Sequence, residues 1–398
     1  MKNKILRILH LSIILSFALS FFTSCSGVIF DTIREEVKLS DAQIGGDVNL
    51  LIRHKDNDSS KEYLYICLGN IWKKDVNEAA TSGQGTDTNS TSYTGNWKQI
   101  TNPGNFITSI ASAYNSGTTK SELYAMSLYI KSVDNDGENK PQSWTVYYSA
   151  YDGASWQKVT YADTSLGTVV TKPSTSKSQK FAVFGTNTPK TQNRAAFLNL
   201  DGTIFRLEGG KATQISASPS YKFESLSDSS ASIYTSAISV ATFDGSTFYF
   251  SSSSAITSNE SKNTAATHLY AASGSTTYYR AVSDSAWTAK KVLSASIYSI
   301  ASTSGKLLCG TSDGLQAINT NSSSEPDSST STAKNASSTL SSYYQVRNVL
   351  AIDPSKTDTA TDLYASTDFK GTSKSTSATF QNVGLWAYYP GRDKWNKE

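Results

Sequence analysis

Few side chains in this sequence suit acid–base, nucleophilic or metal chemistry, and those few are far apart. The histidines are His10, His54 and His268 and the cysteines Cys25, Cys67 and Cys309. His54 ends the run VNLLIRH beside a charged stretch and His268 opens HLYAAS, so both are expected at strand ends on the surface. Neither has another His, a Cys or a carboxylate at metal-ligand spacing. No GxSxG, HExxH or phosphate-cradling Gly loop followed by Lys-Ser/Thr occurs, so no catalytic residue, metal or cofactor is assigned. Asp134-Asn135-Asp136-Gly137-Glu138 has the oxygen density of a calcium loop. It lacks the fifth-position ligand and the distant bidentate Glu of an EF-hand, so the expectation is a solvated hairpin tip, with calcium as the alternative. Arg53, Arg194, Arg206, Arg280, Arg347 and Arg392 are scattered, with no motif to gather them. A carboxylate pair for glycoside hydrolysis, drawn from two distant segments, stays open.

The other chemistry-bearing residue is Cys25. Lys2, Lys4 and Arg7 precede the apolar run Leu11 to Phe22, and Thr23-Ser24-Cys25 follows, the order of an export signal. The run is too short and too polar at its start for a membrane span. Ser24-Cys25 at its end resembles a bacterial lipobox, with Phe22 departing from the usual Leu, and is similar to the looser boxes of spirochaetal lipoproteins. That resemblance implies removal of residues 1–24 and a palmitate-type lipid on Cys25. Three acyl chains, at about 0.8 kcal/mol per buried CH₂, would anchor the protein essentially permanently. Residues 25–46 then read as a lipidated tether and 47–398 as the body. Lys2, Lys4 and Arg7 also account for the whole formal charge of +3. A neutral mature protein has no electrostatic footprint for nucleic acid, and that class of partner is set aside.

Positioning falls to strands. With 398 residues, 38% apolar and 17% charged, the chain is long enough for a large core. Short runs alternating apolar, β-branched and aromatic residues are bounded by Gly, Asn, Asp, Ser and Thr, and hardly any long 3.6-residue periodicity appears. The runs repeat as sets of four, as in FITSIASAY, ELYAMSLYI, SWTVYYSAY and SWQKVT. Such units must stack on their neighbours, and closing the ring removes exposed ends. The fold class is therefore all-β, a β-propeller of four-stranded antiparallel sheets. Six units are counted, and a seventh blade is possible if the tether supplies a strand. Cys67 in YLYICLG and Cys309 in KLLCGTSDG hold the same place in two units, as small buried side chains. Trp97, Trp156, Trp287 and Trp395 are expected between blades at equivalent points.

The ending SAYDGASW resembles the Asp-box and related repeats of sialidase-like and photosystem-assembly-type propellers. Gly153 and Trp156 suit the motif, while Asp152 stands one residue late. The resemblance implies the fold and no activity.

Polar insertions fall at residues 133–142, 187–193, 257–267 and 371–378, all read as loops from second to third strands and so on one rim. The candidate binding residues on that rim are Asp134, Asp136, Glu138, Asn187, Asn193 and Asn259. The function expected is a non-catalytic, lipid-anchored binding or assembly scaffold at the bacterial cell envelope, on the outer membrane, with a protein or glycan ligand. The alternative is a glycan-active envelope enzyme of sialidase-like or other glycosidase type.

Overall fold

The computed structural model describes residues 44, 48, 50–76, 97–130, 142–171, 181–224, 240–251, 255–332, 340, 344–369, 383–390 and 395–398. Asp134, Asp136, Glu138, Cys25 and the 371–378 insertion lie outside them. Seven small sheets follow one another along the chain, making a seven-bladed β-propeller.

Blade 1 is β1 (Leu50–Lys55), β2 (Glu62–Leu68), β3 (Asn70–Asp75) and β4 (Lys98–Gln99). Blade 2 is β5 (Phe106–Asn115), β6 (Lys120–Ile130), β7 (Gln142–Ser149) and β8 (Gln157–Lys158). A short β9 (Thr160–Tyr161) then pairs in parallel with the outer strand of blade 3. That blade is β10 (Phe181–Gly185), β11 (Ala196–Leu200), β12 (Thr203–Glu208) and β13 (Lys211–Gln214). Blade 4 has three described strands, β14 (Tyr221–Glu224), β15 (Val240–Phe243) and β16 (Phe248–Ser251), in the order β14-β16-β15. Blade 5 is β17 (Ala255–Ser258), β18 (His268–Ser273), β19 (Thr276–Ala281) and β20 (Thr288–Val292). Blade 6 is β21 (Ile297–Thr303), β22 (Lys306–Thr311), β23 (Gly314–Thr320) and β24 (Pro326–Thr332), and blade 7 is β25 (Tyr344–Ala351), β26 (Leu363–Phe369), β27 (Gly384–Tyr388) and β28 (Trp395–Lys397).

The count of six arose in blades 3 to 5. The apolar runs VATF and FYFS belong to blade 4, whereas HLYAAS onward belongs to blade 5, and reading them as one unit loses a blade. The seventh blade comes from this division and not from a strand of the tether. In blade 3 the first strand is FAVFG; GTVV, read as that strand, instead bridges to blade 2 through Val169 and Val170. Two of the insertions therefore change rim: 187–193 joins β10 to β11, and 257–267 joins β17 to β18, first strands to second.

Inner and second strands are buried on both faces because each blade is sandwiched between two others, which is why YICL of β2 and LLCG of β22 read as continuous apolar runs. Cys67 and Cys309 are both buried, at matching places in β2 and β22. The four tryptophans also match: each stands just before, or opens, the outermost strand of its blade. Trp97 and Trp395 are buried, while Trp156 and Trp287 are half-buried against inter-blade clusters.

Ring closure is made between blades 1 and 7. The Ile44 amide donates to the Glu398 carbonyl at 3.0 Å, and the Leu385 amide to the Ile44 carbonyl at 3.2 Å. The ring thus takes in Ile44, within the stretch read as tether. The Glu398 carboxylate is buried against Lys74 Nζ, Tyr389 Oη and Trp97 Nε1. It carries the seam by charge and hydrogen bonding as well as by the apolar cluster of Ile44, Val48, Leu51, Leu350, Leu385 and Tyr389.

Candidate functional site

The turns from first to second strands share one rim with those from third to fourth, and most of the described charge clusters there. The polypeptide from Thr186 to Arg194, longer than the β1–β2 and β5–β6 turns, lies across the mouth of the central channel. Asn187 reaches from blade 3 to the inner strand of blade 1, accepting from the Arg53 amide at 3.0 Å and donating to the Leu51 carbonyl at 3.1 Å. Thr188 Oγ1 and Asn193 Nδ2 donate to the two oxygens of Glu260 in blade 5. One loop thereby joins three non-adjacent blades. Behind it lies a cavity of about 160 Å³, walled by the inner strands of blades 1, 3, 4, 5, 6 and 7 and capped by Thr186–Pro189.

The loop holds its shape through a 3-10 turn at Thr191–Asn193 and through Thr186 Oγ1, which donates to the Asn193 carbonyl and accepts from the Ala195 amide. Under it sits an ionic knot. Arg53 of β1 donates through Nε to Glu62 Oε1 at 2.8 Å and through Nη1 to the Ile352 carbonyl of blade 7 at 2.8 Å. Arg194, at the loop's end, donates from Nη2 to the same Glu62 oxygen, and from Nε to the Thr188 carbonyl at 3.0 Å. Lys262 of blade 5 reaches Glu62 Oε2 at 3.0 Å. Burial alone works against the Glu62 charge, but Arg53, Arg194 and Lys262 outweigh it and hold the carboxyl well below the usual range. Burial, opposed by Glu62, brings Arg194 down to about 10, so it remains charged. The scattered arginines of the sequence are thus partly gathered by closing the ring, a contact between residues 132 apart that no spacing shows.

His54 is not a surface residue. It is fully buried between blades 1 and 2, with Nε2 2.8 Å from Asp152 Oδ1 and Nδ1 2.9 Å from Ser112 Oγ. The carboxylate fixes the tautomer: Nε2–H donates to Asp152 and Nδ1 accepts from the Ser112 hydroxyl. Ser, His and Asp in this order have the composition of a nucleophile relay. Here the ring packs edge-on against Tyr65 at 5.3 Å, and none of the three lines the channel cavity or the rim cleft. The group is a strut that ties the turn after β7 to blade 1.

Asp152 and Gly153 make that turn with φ of 53° and 84°, the left-handed pair of a tight hairpin. A Cβ on Gly153 would stand 2.4 Å from Ile100 Cδ1, so the DG pair is required here by turn and packing together. Asp152 also accepts from the Asn57 amide at 3.0 Å, and its backbone carbonyl accepts from Tyr65 Oη at 3.2 Å. Burial and the Arg194 charge push the His54 imidazole down to about 3. The unfolded chain, with an ordinary histidine, binds a proton that the fold refuses. Stability is therefore expected to fall as pH drops from about 6.5 towards 3, by up to about 1.4 kcal/mol per unit from this residue. Melting temperatures of wild type and His54→Gln across that range check it: the variant, though less stable throughout, should show the shallower slope.

On the same rim a cleft of about 400 Å³ opens between the β1–β2 turn and the channel-crossing loop, lined by Lys55, Ser60, Lys61, Glu62, Pro189, Lys190, Thr191, Gln192 and Lys262. Of the residues expected to bind, Asn187, Asn193 and Asn259 do meet on one rim, the one opposite to that expected. Asn187 and Asn193 brace the crossing loop. Asn259 is spent locally, accepting from the Thr267 and His268 amides at 2.9 and 3.0 Å. His268 opens β18, half-buried and stacked on Tyr279. The cleft lysines carry no signal in the sequence, because single lysines in polar loops look like any solvated face. Among the described residues no three His, Cys, Asp or Glu side chains converge as metal ligands.

No protein-family model matches this chain, and no curated protein does. Among solved structures it is similar to an ancestral GH74 enzyme, with 12% identity and a TM-score of 0.37 over 90% of this chain and 46% of that one. It is similar to the tricorn protease at 12% identity and a TM-score of 0.40, covering 88% of this chain and 26% of that one. The AfRom2 CNH domain matches at 7% identity and a TM-score of 0.34, with 81% and 77% covered. The chain spans less than half the length of the first two, and the seven-bladed fold stands on its own seven sheets.

Proposed function

We propose that this protein is a non-catalytic binding or assembly propeller held at the bacterial cell envelope by lipid on Cys25. The rim carrying the first-to-second strand turns is its ligand face. One observation carries the binding part. The groups best suited to chemistry act as struts, His54 and Asp152 between blades 1 and 2 and Arg53 beneath the loop 186–194 that covers the channel mouth, while a polar, lysine-lined cleft with Glu62 in its wall faces solvent beside it. The address rests on Lys2, Lys4 and Arg7, the apolar run to Phe22 and Ser24-Cys25. Residues 26–43 are left as the link between lipid and ring. Fractionation of cells making Cys25→Ala tests it: release from the membrane pellet, or a precursor of signal-bearing mass, is expected. A mature membrane-bound band would overturn the anchor. Protease shaving of intact and lysed cells then tells whether the ring faces outward.

The glycan-active reading draws on a specific feature, the convergence of Arg53, Arg194, Glu62 and Glu260 around one channel mouth. Assay of the purified protein on fluorogenic glycosides separates the two readings. Turnover that disappears in Glu260→Gln would replace the scaffold with an enzyme.

A further inference from the structure

The rim cleft holds more positive charge than the fold uses. Four lysines line it, Lys55, Lys61, Lys190 and Lys262, against the one lining carboxylate of Glu62, behind which lie Arg53 and Arg194. Glu62 already serves three of the cations, and Lys61 is taken by Asp75 at 2.9 Å. Lys55 and Lys190 make no ion pair among the described residues, although both line the cleft. Beneath them, Arg53 Nη2 and Arg194 Nη1 are buried donors without a protein acceptor.

Like charges held this close repel, and unmet guanidinium donors carry a desolvation penalty. An anion entering the cleft relieves the repulsion among the lysines that line it. The remaining lining sets the rest of the ligand. Ser60, Thr191 and Gln192 offer hydroxyl and amide groups, and no aromatic or aliphatic side chain other than Pro189 reaches the cleft. A ligand rich in hydroxyls fits that wall, and an apolar one does not. Lysine binds tetrahedral oxyanions as a mobile point charge, which suits a phosphate or sulfate group better than a planar carboxylate, whose partner is the arginine fork.

From these observations we propose that the cleft binds a sugar unit carrying a phosphate or sulfate ester, with the oxyanion between Lys190, Lys55 and Lys262 and the hydroxyls on Ser60, Thr191 and Gln192. The proposal rests on the reading of this rim as the ligand face and names the ligand's chemistry. Lys190 lies on the channel-crossing loop and Lys262 in blade 5, so such a ligand also tightens the seal over the channel.

Calorimetric titration of the purified ring with glucose 6-phosphate, glucose 6-sulfate, inorganic phosphate and glucose tests it. Saturable binding of at least one ester is expected, weakening with added salt, with inorganic phosphate weaker and glucose silent. Lys55→Glu/Lys190→Glu, which breaks no ion pair of the fold, is expected to weaken ester binding by roughly tenfold or more. If that variant melts early, the milder Lys190→Ala is read in its place. Four results would overturn the proposal: no heat from either ester at millimolar concentration, glucose binding as well as its esters, inorganic phosphate binding as tightly as the esters, or ester binding unchanged in a folded lysine variant. None of them bears on the Cys25 fractionation or the glycoside assay, so this proposal can fail while the envelope-scaffold reading stands.

Discussion

Alanine at Glu62 is expected to lower the melting temperature by roughly 4 to 7 °C, the equivalent of about 3 to 5 kcal/mol in a ring of this size. The carboxylate bridges Arg53 and Arg194, whose side chains are essentially fully buried. Removing it leaves two guanidiniums facing each other without compensation, which costs far more than the hydrogen bonds alone. Two comparisons isolate that cause. Glu62→Gln keeps an acceptor but not the charge, and should lie between wild type and Glu62→Ala. Arg194→Met in the Glu62→Ala background should recover part of the loss, because the repulsion goes with the second charge. The pH dependence has a definite sign. Since the fold holds this carboxyl below its unfolded value, its contribution is complete above about pH 4.5 and fades on acidification, adding to the loss from His54. A Glu62→Ala protein that melts with wild type would mean that the knot has no structural role.

The second large effect is expected at the seam. Lys74→Met should cost about 3 to 5 kcal/mol by stranding the buried Glu398 carboxylate. Lys74 is also the cation beside the Trp97, Tyr364 and Tyr389 rings, at 5.4 to 5.9 Å from their centroids. Burial raises Asp362 nearby to about 6 even with Lys74 present, so losing the lysine should raise it further. Pairing the change with Glu398→Leu is expected to restore part of the stability, since a buried ion pair replaced as a whole is often neutral. What the pair contributes beyond stability is register: it ties the last strand of blade 7 to the third strand of blade 1, where an apolar seam alone tolerates slippage. Calorimetry on the single and double variants measures both terms. Equal loss in single and double variants would show that the hydrogen bonds from Tyr389 and Trp97, and not the charge pair, carry the seam.

Strand identity, stacking and the place of the cysteines were legible along the chain because they follow from local alternation. The period also survived, since blades 1, 2, 6 and 7 open where their SIA-like and ELYA-like runs predict. It failed across residues 160–292. There blade 4 takes an outer strand, β14, from before its inner strand, and GTVV serves as a bridge to blade 2. A repeat read by composition has no way to see a strand that changes its partner. Taking GTVV as the first strand of blade 3 moved Asn187 and Asn193 to the wrong rim, and merging blades 4 and 5 moved Asn259.

The charged groups were less legible still. Residue types such as His54, Arg53 and Glu62 were visible, but their burial was not, because a histidine at the end of a strand looks exposed until the neighbouring blade covers it. Local sequence settles which segments are strands, how they turn and how they stack, since those depend on neighbours a few residues apart. The rim, the crossing loop and the knot beneath it depend on closing a ring of seven blades. Closure brings residues 132 and 299 positions apart onto one guanidinium–carboxylate–carbonyl cluster, and no local pattern encodes which of them will meet.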